Sequence, residues 1–107
     1  MSGTLTRILE LVRDRQVKVS EHGYEELADE GILARDLVES VNQAVEIEDY
    51  SSYPKGPCVL VLQQDREGRP VHVVWGIPRG ETEPAVLVTA YRPDPARWND
   101  SFTQRKK

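Results

Sequence analysis

The stretch "CVLVLQQDREGRPVHVVWGI", residues 58–77, decides the fold. Residues 58–64 are apolar on both faces, the pattern of a strand covered from both sides in the middle of a sheet. The polar run 65–69, "DREGR", then has hairpin-turn composition around Gly68, and residues 70–77 resume extended, β-branched sequence. Two strands joined by so short a turn are antiparallel neighbours.

Working outward, "PRGETEP" is a loop on its Pro and Gly content and leads into "AVLVTAY", residues 85–91, a third strand. Upstream, residues 44–50 alternate Val45 and Ile47 with acidic residues, and the loop "SSYPKGP" joins them to the central strand. This segment extends the antiparallel meander.

The N-terminal half has helical spacing instead. Leu5, Ile8, Leu9 and Val12 recur every three or four residues, one stripe of an amphipathic helix. "QVKVS", residues 16–20, alternates as a short half-buried strand. Ser20 is placed to cap the next helix, with Val19 and Tyr24 as a hydrophobic staple and Tyr24, Leu27 and Ala28 as its buried face. Gly31 ends that helix in the left-handed conformation, and Ile32 folds back on it. A third helix runs over about residues 34–43 with Leu37, Val38 and Val41 inward. The expected fold is α+β, in the order α-β-α-α-β-β-β-β, with the helices on one face of a mostly antiparallel sheet of four to five strands.

The chain has 107 residues, enough for one hydrophobic core, so it is read as a single domain over 1–107 with residues 99–107, ending in "QRKK", as a frayed tail. No apolar run is long enough to cross a bilayer, and the N-terminus has no basic segment followed by a continuous apolar one; the expected location is cytoplasmic. Cys58, the single cysteine, is read as a small buried hydrophobe rather than a reactive thiol. The net charge of −4 argues against unspecific affinity for nucleic acid. That charge is uneven: residues 1–64 hold 12 acidic and 6 basic side chains, and residues 65–107 hold 6 and 8. Any anion-binding surface belongs to the C-terminal half.

Phosphate-cradling, dinucleotide-binding and zinc-protease motifs are missing, so no cofactor or metal is expected. The residues left to carry chemistry are His22, His72, Tyr91, Arg92, Arg97 and Trp98. His22 stands at a helix start, three and four residues from Glu25 and Glu26, either as an acid or base or as a surface histidine. His72 alternates with Val71 and Val73, facing away from Val73 and Trp75, as a catalytic or a satisfied structural group. Tyr91 and Arg92 stand at a strand end, where a guanidinium fork suits a phosphate or carboxylate. Pro93 and Pro95 then bar the ladder from continuing. Trp98 is an anchor for the returning chain or a stacking surface for a base.

"VSEHGYEELADEGI", "GPCVLVLQQDREGRPVHVVWG" and "VTAYRPDPARW" together resemble the bacterial family named Domain of Unknown Function 4258, over roughly residues 17–98. This chain departs from the family's pattern at Glu30, where a basic residue is usual, and at Leu33, where a helix-capping residue is usual. The family is similar in layout to RelE-like ribonuclease toxins. The resemblance implies metal-independent RNA cleavage and an antitoxin protein as partner. Such cleavage needs a base for the 2′-hydroxyl, a cation for the phosphate and an acid for the leaving oxygen. His22 or His72 would supply base and acid, Arg92 the cation, and Tyr91 a hydrogen bond or a stacked base, with Arg97 and Trp98 against the substrate. The alternative expectation is a non-catalytic module that binds a protein.

Overall fold

The computed structural model describes residues 2–106. Helices α1 (Gly3–Arg13), α2 (Glu21–Glu30) and α3 (Ala34–Ser40) and strand β1 (Val17–Val19) precede β2 (Val45–Tyr50), β3 (Cys58–Gln64), β4 (Pro70–Gly76) and β5 (Ala85–Tyr91). This is the expected α+β order, with one short 3-10 turn, Val41–Gln43, added after α3. The strands form one sheet in the order β1-β5-β4-β3-β2. β2 to β5 are an antiparallel meander, and β1 closes the far edge parallel to β5.

The helices cover one face. Leu5, Ile8, Leu11 and Val12 of α1, Leu27 of α2 and Leu37 of α3 pack with Val59, Val61, Val73, Trp75 and Leu87 in one continuous core. A buried glutamine stitches this core across three elements: Gln63 donates from Nε2 to the Leu37 carbonyl at 2.7 Å and accepts at Oε1 from Trp75 Nε1 at 2.7 Å. Among the described residues no buried side-chain nitrogen or oxygen is left without a partner, a lapse that would cost more than a made hydrogen bond contributes.

The corner from β1 to α2 follows the expected cap but not the expected staple. Ser20 Oγ accepts from the Gly23 amide at 2.9 Å and donates to the Val88 carbonyl at 2.9 Å, pinning α2 to β5. Tyr24, expected inward, is 62% exposed, and Ala28 is exposed too. The reason is Gly23: a Cβ there would lie 2.7 Å from the Leu87 carbonyl oxygen, so the helix touches the strand through its glycine. With Gly23 and Leu27 inward, the helical turn of about 100° per residue swings Tyr24 out. Gly31 does take the left-handed conformation, at φ 66, and Ile32 is buried behind it. α3 starts at Leu33 without a side-chain cap.

A bulge in β5 sets up the rest. Val74 pairs with Thr89, but Trp75 pairs with Leu87, leaving Val88 as an extra residue. The alternation of β5 therefore reverses: Ala85 and Leu87 face the helices, and then Ala90 does. Tyr91 is carried to the opposite face of the sheet, beside His72, its partner in the ladder.

Candidate functional site

The helix-free face of the sheet is where the candidate residues collect, and the C-terminal segment covers part of it. Residues 97–106, which take in most of the tail expected to fray from residue 99, form a small hairpin: Lys106 N donates to the Arg97 carbonyl and Asn99 N to the Gln104 carbonyl, with Trp98 bridged to Arg105. Asn99 Oδ1 closes the turn by accepting from the Thr103 amide at 3.0 Å. Only Lys107 lies outside the described residues of this segment.

This hairpin lies on His72, which is fully buried. The Trp98 ring meets His72 edge-on at 4.4 Å between centroids, and the Tyr91 ring does so at 5.4 Å. His72 Nε2 lies 2.7 Å from the Phe102 carbonyl oxygen, and Nδ1 lies 3.3 Å from the Tyr91 hydroxyl. Burial pushes the His72 pKa below the ordinary 6.5, an effect opposed in part by the Phe102 carbonyl. Burial likewise raises that of Tyr91. Phe102 holds its carbonyl there from a left-handed backbone, φ 59, which costs a non-glycine residue on the order of 1 kcal/mol or more.

Arg92, one residue further, turns the other way. Nη1 donates to the Pro70 carbonyl at 3.2 Å and Nη2 to Asp65 Oδ2 at 2.8 Å. Asp65 is the hub of the β3–β4 turn, its Oδ1 also accepting from the Glu67 and Arg69 amides at 2.9 and 3.0 Å. Burial alone would raise its pKa; the hydrogen bonds from the Arg69 amide, the Arg92 guanidinium and the Glu67 amide outweigh burial and lower it to about 2.

Between the strand end and the hairpin opens a cavity of about 640 Å³. Tyr91, Arg92, Arg97 and Trp98 line it, as do Arg105 and Lys106 from the tail, and Asp94 is its one carboxylate. Four cations thus line it against one carboxylate, and two of the four, Arg92 and Arg105, already hold Asp65 and Glu48. Asp94 is held by accepting from the Ala96 amide at 2.8 Å and sits 4.0 Å from Arg97 Nε. Arg105 is ion-paired with Glu48 of β2 and stacks over Trp98, its guanidinium carbon 4.9 Å from the ring centroid.

The site thus differs from the expected one in three respects. His22 is not part of it: its side chain is 61% exposed on α2 and its nearest partner is Glu26, 3.7 Å away. His72 has no open surface of its own and touches the cavity through two residues that line it, Tyr91 and Trp98. Arg92 faces the cavity while already holding a buried carboxylate. Tyr91, Arg97 and Trp98 do come together. Asp65, Phe102 and Arg105 were not singled out from the sequence; the turn-forming cluster "NDS" between Trp98 and Phe102 is the local pattern that marks the hairpin.

At the other end of this face, Cys58, Gly76, Ile77, Val86 and Val88 line an apolar hollow of about 300 Å³. Burial, then the Asp49 carboxylate, raise the Cys58 pKa, which keeps it a thiol and a poor nucleophile. Among the described residues no three His, Cys, Asp or Glu side chains are grouped to hold a metal ion, and no helix is long and apolar enough to cross a membrane.

The family model described as Domain of unknown function (DUF4258) matches residues 19–92. That span runs from the β1 to α2 corner to Arg92, taking in His22, His72 and Tyr91 but neither α1 nor the hairpin that covers His72. Neither the curated proteins nor the solved structures contain a match. With well over half of its length matched, from the corner before α2 to the residue just past β5, the chain belongs to the DUF4258 family.

Proposed function

We propose that the protein cleaves single-stranded RNA without a metal ion, in the manner of RelE-like ribonuclease toxins, with the Tyr91 cavity as its active site. The observation that carries this reading is the cavity itself, where a tyrosine hydroxyl backed by a buried histidine stands among Arg92, Arg97, Arg105 and Lys106. A phosphodiester fits that charge, and fixed cations beside the phosphate stabilise the charge that builds up during transesterification. Helices preceding an antiparallel meander support the likeness to those toxins, and an antitoxin protein is the partner that likeness implies. The charge of −4 belongs to the whole molecule, while the cavity itself is lined by four cations and one carboxylate.

The test is to incubate the protein with single-stranded RNA in EDTA at two salt concentrations, beside Arg97→Glu and Lys106→Glu variants. Cleavage to 2′,3′-cyclic phosphate ends, weakened in both variants and by salt, supports the reading. Intact RNA with the wild-type protein overturns it.

A second reading, a non-catalytic module that binds a protein, is favoured by the ion pairs of Arg92 with Asp65 and Arg105 with Glu48. Both would already be satisfied without an anion. Under that reading the charge-reversal variants leave RNA binding unchanged.

A further inference from the structure

We infer that the Phe102 carbonyl, His72 and Tyr91 form a relay that turns the Tyr91 hydroxyl into a proton acceptor toward whatever occupies the cavity; the reaction it serves rests on the RNA-cleaving reading above. A carbonyl oxygen can only accept, so the contact at 2.7 Å fixes the imidazole proton on Nε2. Nδ1 is then a bare lone pair, and the Tyr91 hydroxyl is the donor to it. Once its proton is committed inward, the hydroxyl keeps its lone pairs free, on a residue that lines the cavity. Three features that the fold alone does not require converge here. The β5 bulge carries Tyr91 onto the His72 face. The left-handed Phe102 aims a carbonyl at the ring. Trp98 seals the histidine from water.

Among the described residues, those that pair with or contact the ring are Leu62 of β3, Tyr91 of β5, and Trp98 and Phe102 of the hairpin, none of them charged, and Arg105 stacks on Trp98. The histidine is therefore neutral at rest and free to take a proton, the state required of a base. In the reaction the substrate 2′-hydroxyl gives its proton to Tyr91 Oη while the tyrosine proton passes to His72 Nδ1. The 2′-oxygen forms its bond to phosphorus, and the bond from phosphorus to the 5′-oxygen breaks with its electron pair going to that oxygen. The 5′-oxygen takes a proton from the Lys106 ammonium. His72 then releases its extra proton to water and Lys106 regains one, so the products are a 2′,3′-cyclic phosphate and a 5′-hydroxyl with no net proton change. Tyr91 is the catalytic residue; His72 and Phe102 position and poise it.

The relay is read directly by 15N NMR of the His72 ring in the full chain, with Tyr91→Phe as the comparison. The inference requires a protonated Nε2, a bare Nδ1, and an Nδ1 resonance that moves when the tyrosine hydroxyl is removed. A protonated Nδ1, or an Nδ1 resonance indifferent to Tyr91→Phe, overturns it. His72→Gln keeps an N–H for the Phe102 carbonyl and an amide oxygen for the Tyr91 hydroxyl but has no nitrogen that takes up a proton; RNA cleavage should fall roughly 100-fold with RNA affinity unchanged, and the acid limb of the pH–rate profile should vanish. Unchanged cleavage by His72→Gln overturns the relay's role. The expected NMR spectrum from a protein that leaves RNA intact overturns the RNA reading while the relay stands.

Discussion

Arg92 reaches back across the end of the sheet to Asp65, its Nη2 at 2.8 Å from Oδ2, and so ties the end of β5 to the hairpin turn between β3 and β4. The carboxylate side chain is 5% exposed and the guanidinium 24%. Removing the cation leaves a buried charge with only Arg69 and two amides to hold it. Arg92→Ala should destabilise the fold by about 3 kcal/mol, the usual cost of orphaning one member of a buried pair. Urea unfolding measures this, and a loss below about 1 kcal/mol would show that Arg69 takes over.

The same carboxylate sets an acid limit. Its pKa is depressed in the fold, from the ordinary 3.8 to about 2, so the unfolded chain binds the proton more tightly. Stability from Asp65 is complete above pH 3.8 and is lost as the pH falls toward 2, by roughly 2 kcal/mol. Urea midpoints between these two limits should drop for the wild type and stay flatter for Asp65→Asn, which is less stable throughout.

His72 adds a second pH dependence at milder acidity. Its folded pKa lies below the ordinary 6.5, so protons again favour the unfolded chain. The wild type should lose stability as the pH drops below 6.5, and His72→Gln should remove that slope. The His72 ring protons, followed by NMR through the same range, identify the group responsible.

Gly23 has no room for a side chain, since a Cβ would lie 2.7 Å from the Leu87 carbonyl oxygen. Gly23→Ala should therefore cost about 1 to 3 kcal/mol, although alanine is the better helix former. Gly3→Ala is the control: nothing lies within 4 Å of its Cβ position, and the helix should gain about 0.5 to 1 kcal/mol. Equal effects at the two positions would mean that α2 does not rest on β5 through its glycine.

The meander was legible because its strands and turns each carry a local pattern: the doubly apolar residues 58–64, the turn around Gly68, the capping Ser20 and the terminal Gly31. What was not legible depends on contacts between distant residues. Tyr24 fits an inward helical position by hydrophobicity, yet Gly23 takes that place because only a glycine can meet the Leu87 carbonyl. The β5 bulge leaves no trace in "AVLVTAY", so strict alternation would have put Tyr91 on the same face as Ala85 and Leu87. The pairing of Tyr91 with His72 was invisible for that reason, although both residues were singled out. His22 drew interest through its carboxylate neighbours, which prove to be its solvent-exposed surroundings on α2. The tail, rich in charge and turn formers, reads as frayed until its own hairpin and the aromatic contact of Trp98 with His72 are seen.

The central claim is that the Tyr91 hydroxyl does chemistry at the mouth of the cationic cavity. The most direct measurement is single-turnover cleavage of single-stranded RNA in EDTA by wild type and Tyr91→Phe, each at protein concentrations that saturate the RNA. The account predicts cleavage by the wild type and a rate lower by roughly 100-fold or more in the variant, with unchanged RNA affinity. Equal rates for the two proteins, or no cleavage by either, would contradict it.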